Sequence, residues 1–124
     1  MDNYKYNEFK KTIFIDIDGC LLKHMGNLSK EILKEPELLP GVIEKFNEWD
    51  GRGYKIILTT GRKESMRKIT EEQLLKFGIF YDQLIMGITR GERILINDKK
   101  PYSDMIVASA IEINRDEGLI NVNI

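Results

Sequence analysis

Two apolar runs constrain this chain most: Thr12-Ile13-Phe14-Ile15-Asp16-Ile17, and Tyr54-Lys55-Ile56-Ile57-Leu58-Thr59, which is followed directly by Thr60-Gly61-Arg62. Runs that are apolar at nearly every position, instead of alternating, are expected of strands buried on both faces, and parallel sheets contain such strands. Between the two runs, Pro40-Gly41 opens a predicted helix with Val42, Ile43, Phe46 and Trp49 on one side and Glu44, Lys45 and Glu48 opposite. Gly51 and Gly53 stop it. A second helix is predicted over Glu64–Phe77, with Met66, Ile69, Leu74 and Phe77 in one stripe and Gly78 as its C-terminal stop. Leu84-Ile85-Met86 and Arg93-Ile94-Leu95-Ile96 are predicted short strands, and Met105 to Ile113 adds a last element, helix or strand. Strands alternating with amphipathic helices predict an α/β fold, a three-layer Rossmann-like arrangement around a central parallel sheet.

The stretch from Gly19 to Pro40 holds Gly26, Asn27, Pro36 and Pro40 and reads mainly as loop, with one helical turn at Ser29–Lys34. With 124 residues, 42% hydrophobic and 31% charged, the chain is expected to form a single domain, residues 1–124, with a packed core. It has no apolar run long enough for a bilayer. Its first residues lack the apolar stretch of a secretory signal, and a lone cysteine makes no internal disulfide, so a cytoplasmic setting is expected. A formal charge of −1 supplies no net attraction to nucleic acid or anionic lipid.

Ligands of open parallel sheets bind beyond the C-terminal ends of the strands. Three polar clusters fall there: Asp16-Ile17-Asp18-Gly19, Thr59-Thr60-Gly61-Arg62 and Asn97-Asp98-Lys99-Lys100. Asp16 and Asp18, two apart, face the same way if the strand persists. Two carboxylates in one pocket repel, and a hard cation such as Mg²⁺ relieves the repulsion. A third acid, Asp98, would complete that metal site. Thr60 adds a hydroxyl, Gly61 lets backbone approach a ligand, and Arg62 suits bidentate bonding to phosphate oxygens. A helix starting near Glu64, capped by Thr59 or Ser65, would aim its N-terminus at the same anion.

The order and spacing of these clusters, with their upstream apolar runs, resemble the haloacid dehalogenase (HAD) superfamily over residues 12–104. The Asp-x-Asp-Gly element is the most specific part, because the phosphatases and phosphomutases of that superfamily carry the second aspartate and its dehalogenases do not. The resemblance implies a Mg²⁺-dependent phosphomonoesterase in which Asp16 is the nucleophile that forms an aspartyl-phosphate and also binds the metal. Asp18 is implied as general acid/base, with its backbone carbonyl on the metal. Thr60 matches the hydroxyl that binds the phosphoryl group, Thr59 being the alternative by one register step. Arg62 falls where several members place a phosphate-binding arginine, and Asp98 matches the third metal-binding acid. The usual lysine of the third motif has candidates in Lys63, Arg90, Arg93 and Lys99, of which Arg93 is preferred because it precedes the last strand. Asn97 stands before the acid where the pattern differs, and Asp104 lies farther on than the usual second acid.

Neither gap between motifs houses a cap domain, so the resemblance is to small capless members. These include phosphatases of sugar phosphates found with surface polysaccharide synthesis and, more remotely, polynucleotide 3′-phosphatases. A sugar phosphate is the expected substrate, with a polynucleotide end or a non-catalytic binding module as the alternatives. An open cleft is expected to take cover from a homo-oligomer partner, from the 20–40 loop or from a large substrate. Cys20 has no paired base in view and reads as a small buried side chain; His24 reads as a loop residue, Trp49 as core, and the 121–124 tail as uninformative.

Overall fold

The computed structural model of the protein describes residues 9–26 and 35–124. The turn expected at Ser29–Lys34 lies outside them. Among the described residues, five regular elements follow in the order β1 (Thr12–Asp16), α1 (Val42–Gly51), β2 (Lys55–Thr59), α2 (Arg67–Lys76) and β3 (Gln83–Ile85), with a 3₁₀ turn at Glu64–Met66 leading into α2. The three strands form one parallel sheet in the order β1-β2-β3. Its register pairs Ile13 with Ile56, Asp16 with Thr59, and Thr59 in turn with Ile85. This is a small α/β unit of two successive βαβ crossovers, the pattern of a Rossmann-like fold.

Strand order that never reverses puts two right-handed crossovers on the same face of the sheet. One core cluster accordingly gathers Ile13, Ile56, Leu58 and Leu84 from the strands with Val42, Phe46 and Trp49 of α1 and Leu74 of α2. Phe14, Asp16, Ile57, Thr59 and Ile85 alternate onto the other face, where Phe14 remains 53% exposed. The expectation that β1 is buried on both faces is corrected here: the described helices cover one face, and a third layer is not seen among the described residues.

Two further expectations change. Arg93–Ile96 pairs with no strand; Ile96 is 91% exposed, and residues 86–113 carry no helix or strand. Local side-chain bonds take the place of a ladder there: Asn97 Nδ2 donates to the Val107 carbonyl at 2.9 Å, Asn97 Oδ1 accepts the Asp98 N–H at 3.0 Å, and Lys100 pairs with Asp98 at 2.8 Å. The C-terminal tail, by contrast, contributes to the core through Leu119 and Val122. Gly118 makes that return feasible. Its φ is +85°, and a Cβ at this position would sit against the Pro40 carbonyl oxygen, so only glycine lets the tail reach the start of α1.

Candidate functional site

Asp16 closes β1, and the chain turns at once. The Ile17 carbonyl accepts N–H groups from Cys20, Leu21 and Leu22, while Gly19 N–H donates to the Leu22 carbonyl. This tight loop, with Gly19 at φ +89°, carries Asp18 back beside Asp16 at the C-terminal edge of the sheet. Thr59, the register partner of Asp16, stands next to it on the same face. Thr60 is buried, and its hydroxyl oxygen accepts the Arg62 N–H at 3.1 Å. The 60–62 turn is itself anchored, because Ile88 N–H donates to the Thr60 carbonyl and Gly87 N–H to the Arg62 carbonyl.

Burial pushes the Asp16 carboxyl above its ordinary range, Ile17 N–H at 3.0 Å on Oδ1 opposes that, and the neighbouring Asp18 charge adds to it. Arg93 and His24 act on Asp16 in the opposite sense. Of the candidates for the third-motif cation, Arg93 is thus within electrostatic reach of Asp16. Its guanidinium is exposed and held by the Thr89 and Gly91 carbonyls at 2.6 and 2.7 Å.

Arg62 has a different place from the one expected. Its side chain is fully buried and cannot meet an anion arriving from solvent without moving. Nε and Nη2 grip Asp18 in a bidentate pair at 2.9 and 2.8 Å, and Nη1 donates to Thr70 Oγ1 at 3.0 Å and Gln73 Oε1 at 2.8 Å. The geometry thus gives Arg62 the part of a residue that fixes the second aspartate. Thr70 and Gln73 were missed at the sequence level. Their signal was available: two polar residues three apart, hence on one side of the predicted helix, between the apolar Ile69 and Leu74.

Asp98 does not join the pair. It is exposed, and Lys100 holds its carboxyl below the ordinary range. Asp104 is exposed too, and among the described residues no group of three or more His, Cys, Asp or Glu side chains assembles a cation site. Asp16 and Asp18 nevertheless suit a weakly chelated hard cation, which needs one or two carboxylates and keeps its waters. One Asp16 oxygen, Oδ2, accepts no hydrogen bond among the described residues. The helix expected at Glu64 begins as a 3₁₀ turn whose Glu64 pairs with Arg67; neither Thr59 nor Ser65 caps it. Cys20 is pushed up to about 11 by burial and by both aspartates, which leaves it a thiol and removes it as a nucleophile. His24 is tied to the tail: its N–H donates to Asp116 Oδ1 at 2.7 Å, while Asp116 N–H donates to the Gly19 carbonyl at 2.9 Å.

Comparison with known proteins adds an external bearing. Two chains from structures of the Pnkp1/Rnl/Hen1 complex, one of them described as an RNA repair complex, match 68% of this chain at 32% and 33% identity. Their TM-scores are 0.54 and 0.53, and this chain spans 30% and 27% of their lengths. A structural-genomics target from Vibrio cholerae matches over 70% of this chain and 79% of its own, with 23% identity and a TM-score of 0.49. No family model and no curated protein matches the sequence. No helix among the described residues is long and apolar enough to cross a membrane.

Proposed function

We propose that the chain is a phosphomonoesterase of HAD type acting on the phosphorylated end of a polynucleotide. The observation that carries the reaction class is the Asp16–Asp18 pair at the C-terminal edge of a parallel sheet, the first carboxyl free on one oxygen and the second locked by Arg62. Likeness to chains of an RNA repair complex favours a nucleic-acid end over the sugar phosphate expected from the motifs alone. An edge with no cap domain among the described residues also admits a long substrate.

In this reading, Asp16 attacks phosphorus and forms an acyl-phosphate bond as the ester P–O bond breaks. Asp18 gives its proton to the departing alcohol oxygen and later takes one from the water that releases phosphate. Two of the four lone-pair positions of the Asp18 carboxylate are filled by Arg62, so two remain for that proton. Arg93 offsets charge on the phosphoryl oxygens, and the Thr59 hydroxyl, on the same face of the sheet as Asp16, is the one to meet the same group, Thr60 being buried and bonded to the Arg62 N–H. A Mg²⁺ ion held by the Asp16 carboxylate and the Asp18 main-chain carbonyl would supply Lewis-acid charge stabilisation there.

The test compares a 3′-phosphorylated oligonucleotide, a panel of sugar phosphates and p-nitrophenyl phosphate, each with Mg²⁺ and with excess chelator. Metal-dependent turnover with the highest kcat/KM on the oligonucleotide is the expected result. A preference for sugar phosphates overturns the polynucleotide reading. No turnover of any ester overturns the enzyme and favours a binding module with the same fold.

A further inference from the structure

Arg62 lies between the catalytic edge and the inner side of α2, and among the described residues every hydrogen bond from its guanidinium ends on one of those two. A planar guanidinium that grips a carboxylate through Nε and Nη2 can still pivot about that edge. Its remaining nitrogen decides the pivot. Here Nη1 spends both protons on α2, one on Thr70 and one on Gln73, and these two side chains are buried although polar. A helix that turns polar groups inward sacrifices apolar burial at those positions, which is explained only if they hold something.

We infer that Thr70 and Gln73 are positioning residues for the reaction, acting through Arg62 to set the direction in which the Asp18 carboxyl faces the departing oxygen. This rests on the phosphatase reading above. With Nη1 fixed, the plane of the guanidinium is fixed, and a bidentate carboxylate must lie in nearly the same plane. The two unfilled lone pairs of Asp18 then point along one line instead of sweeping an arc. Proton transfer depends steeply on such alignment, whereas attack by Asp16 does not involve Arg62 at all. The relay should therefore matter for esters whose leaving group needs a proton and should be nearly silent for esters whose leaving group does not.

Near-isosteric variants Gln73→Met and Thr70→Val, checked for folding by circular dichroism, separate the cases. Each is assayed on a 3′-phosphorylated oligonucleotide, whose leaving alcohol needs a proton, and on p-nitrophenyl phosphate, whose leaving phenolate does not. The same proteins are followed by exchange of the Arg62 Nε–H with solvent in ¹⁵N spectra. The expected result is a loss of about tenfold or more in kcat on the oligonucleotide against less than about twofold on the aryl ester. Exchange at Arg62 Nε–H is expected to quicken, and Gln73→Glu and Thr70→Ser, which keep an acceptor, should restore both readouts. Equal losses on the two esters overturn the inference, as does unchanged exchange at Arg62. Wild-type protein that hydrolyses neither ester, with exchange still responding to the variants, overturns the phosphatase reading and removes the catalytic role while the contact itself stands.

Discussion

Asp16 is a carboxylate placed where its charge is costly. Burial and the Asp18 charge raise its pKa, and one backbone N–H, Arg93 and His24 offset only part of that. Below the ordinary carboxylate range the group is neutral both folded and unfolded, and no cost arises. As pH rises through the unfolded and then the folded value, the native state must ionise a group that ionises more easily in the unfolded chain, so stability falls. Asp16→Asn keeps an oxygen for the Ile17 N–H and loses the charge. It is expected to abolish turnover and to raise the melting temperature of the metal-free protein by a few degrees at neutral pH, with the gain vanishing in acid. An unchanged melting temperature at pH 7 would place the carboxylate in a well-solvated site. Arg62 has the opposite balance. Its removal leaves Asp18, Thr70 and Gln73 without their shared donor, so Arg62→Met is expected to cost about 3–5 kcal/mol in urea unfolding. A loss below about 1 kcal/mol would mean that the pair is no stronger than an exposed one.

At the scale of elements, the strands and helices that bury an apolar stripe were legible. Ile13, Ile56, Leu58 and the Val42–Phe46–Trp49 stripe of α1 all reached the core, because period and hydrophobicity there point the same way. Three features were not read from the sequence, each because a longer-range partner decides it. The apolar run Ile94–Ile96 reads as a strand from its composition, yet pairing needs a neighbour, and the side-chain bonds of Asn97 and Lys100 close the chain locally instead. The inward polar side of α2 is meaningful only with Arg62 in place. Leu119 and Val122 become core only because Gly118 lets the tail fold back on Pro40. Of the candidate site, the pairing of Asp16 with Asp18 and the neighbouring threonines was readable from strand ends; the burial of Arg62 and the exposure of Asp98 were not. Gly118→Ala tests the tail. It combines a positive φ with a clash against backbone, and it is expected to destabilise the fold by about 2 kcal/mol or more, with Asp116 losing its hold on Gly19 and His24. A change within about 0.5 kcal/mol would show the return of the tail to be incidental.

Considered whole, the molecule exposes a number of large apolar side chains. Phe14 and Ile85 are exposed on the face of the sheet that the described helices do not cover, and Ile94, Leu95, Ile96, Tyr102, Ile106 and Ile111 are exposed along 94–111. Scattered apolar side chains on a surface need no explanation, but a face of a sheet and a run of three consecutive residues are contiguous. A net charge of −1 supplies little repulsion between copies. Among the described residues no cap domain stands over the Asp16–Asp18 edge, so under the proposed function water reaches an aspartyl-phosphate there freely unless something covers it. A second copy of the chain meets both needs, with closed symmetry the usual outcome of such pairing. We therefore expect a homo-oligomer whose interface includes Ile94 and Ile96. Light scattering at assay concentration should give a mass above that of one chain, and Ile94→Lys with Ile96→Lys should return it to the monomer, since two buried charges facing their copies oppose association. Wild-type protein that stays monomeric and turns over small phosphate esters efficiently would remove the second copy as the cover. A monomer active only on long substrates would assign that cover to the nucleic acid itself.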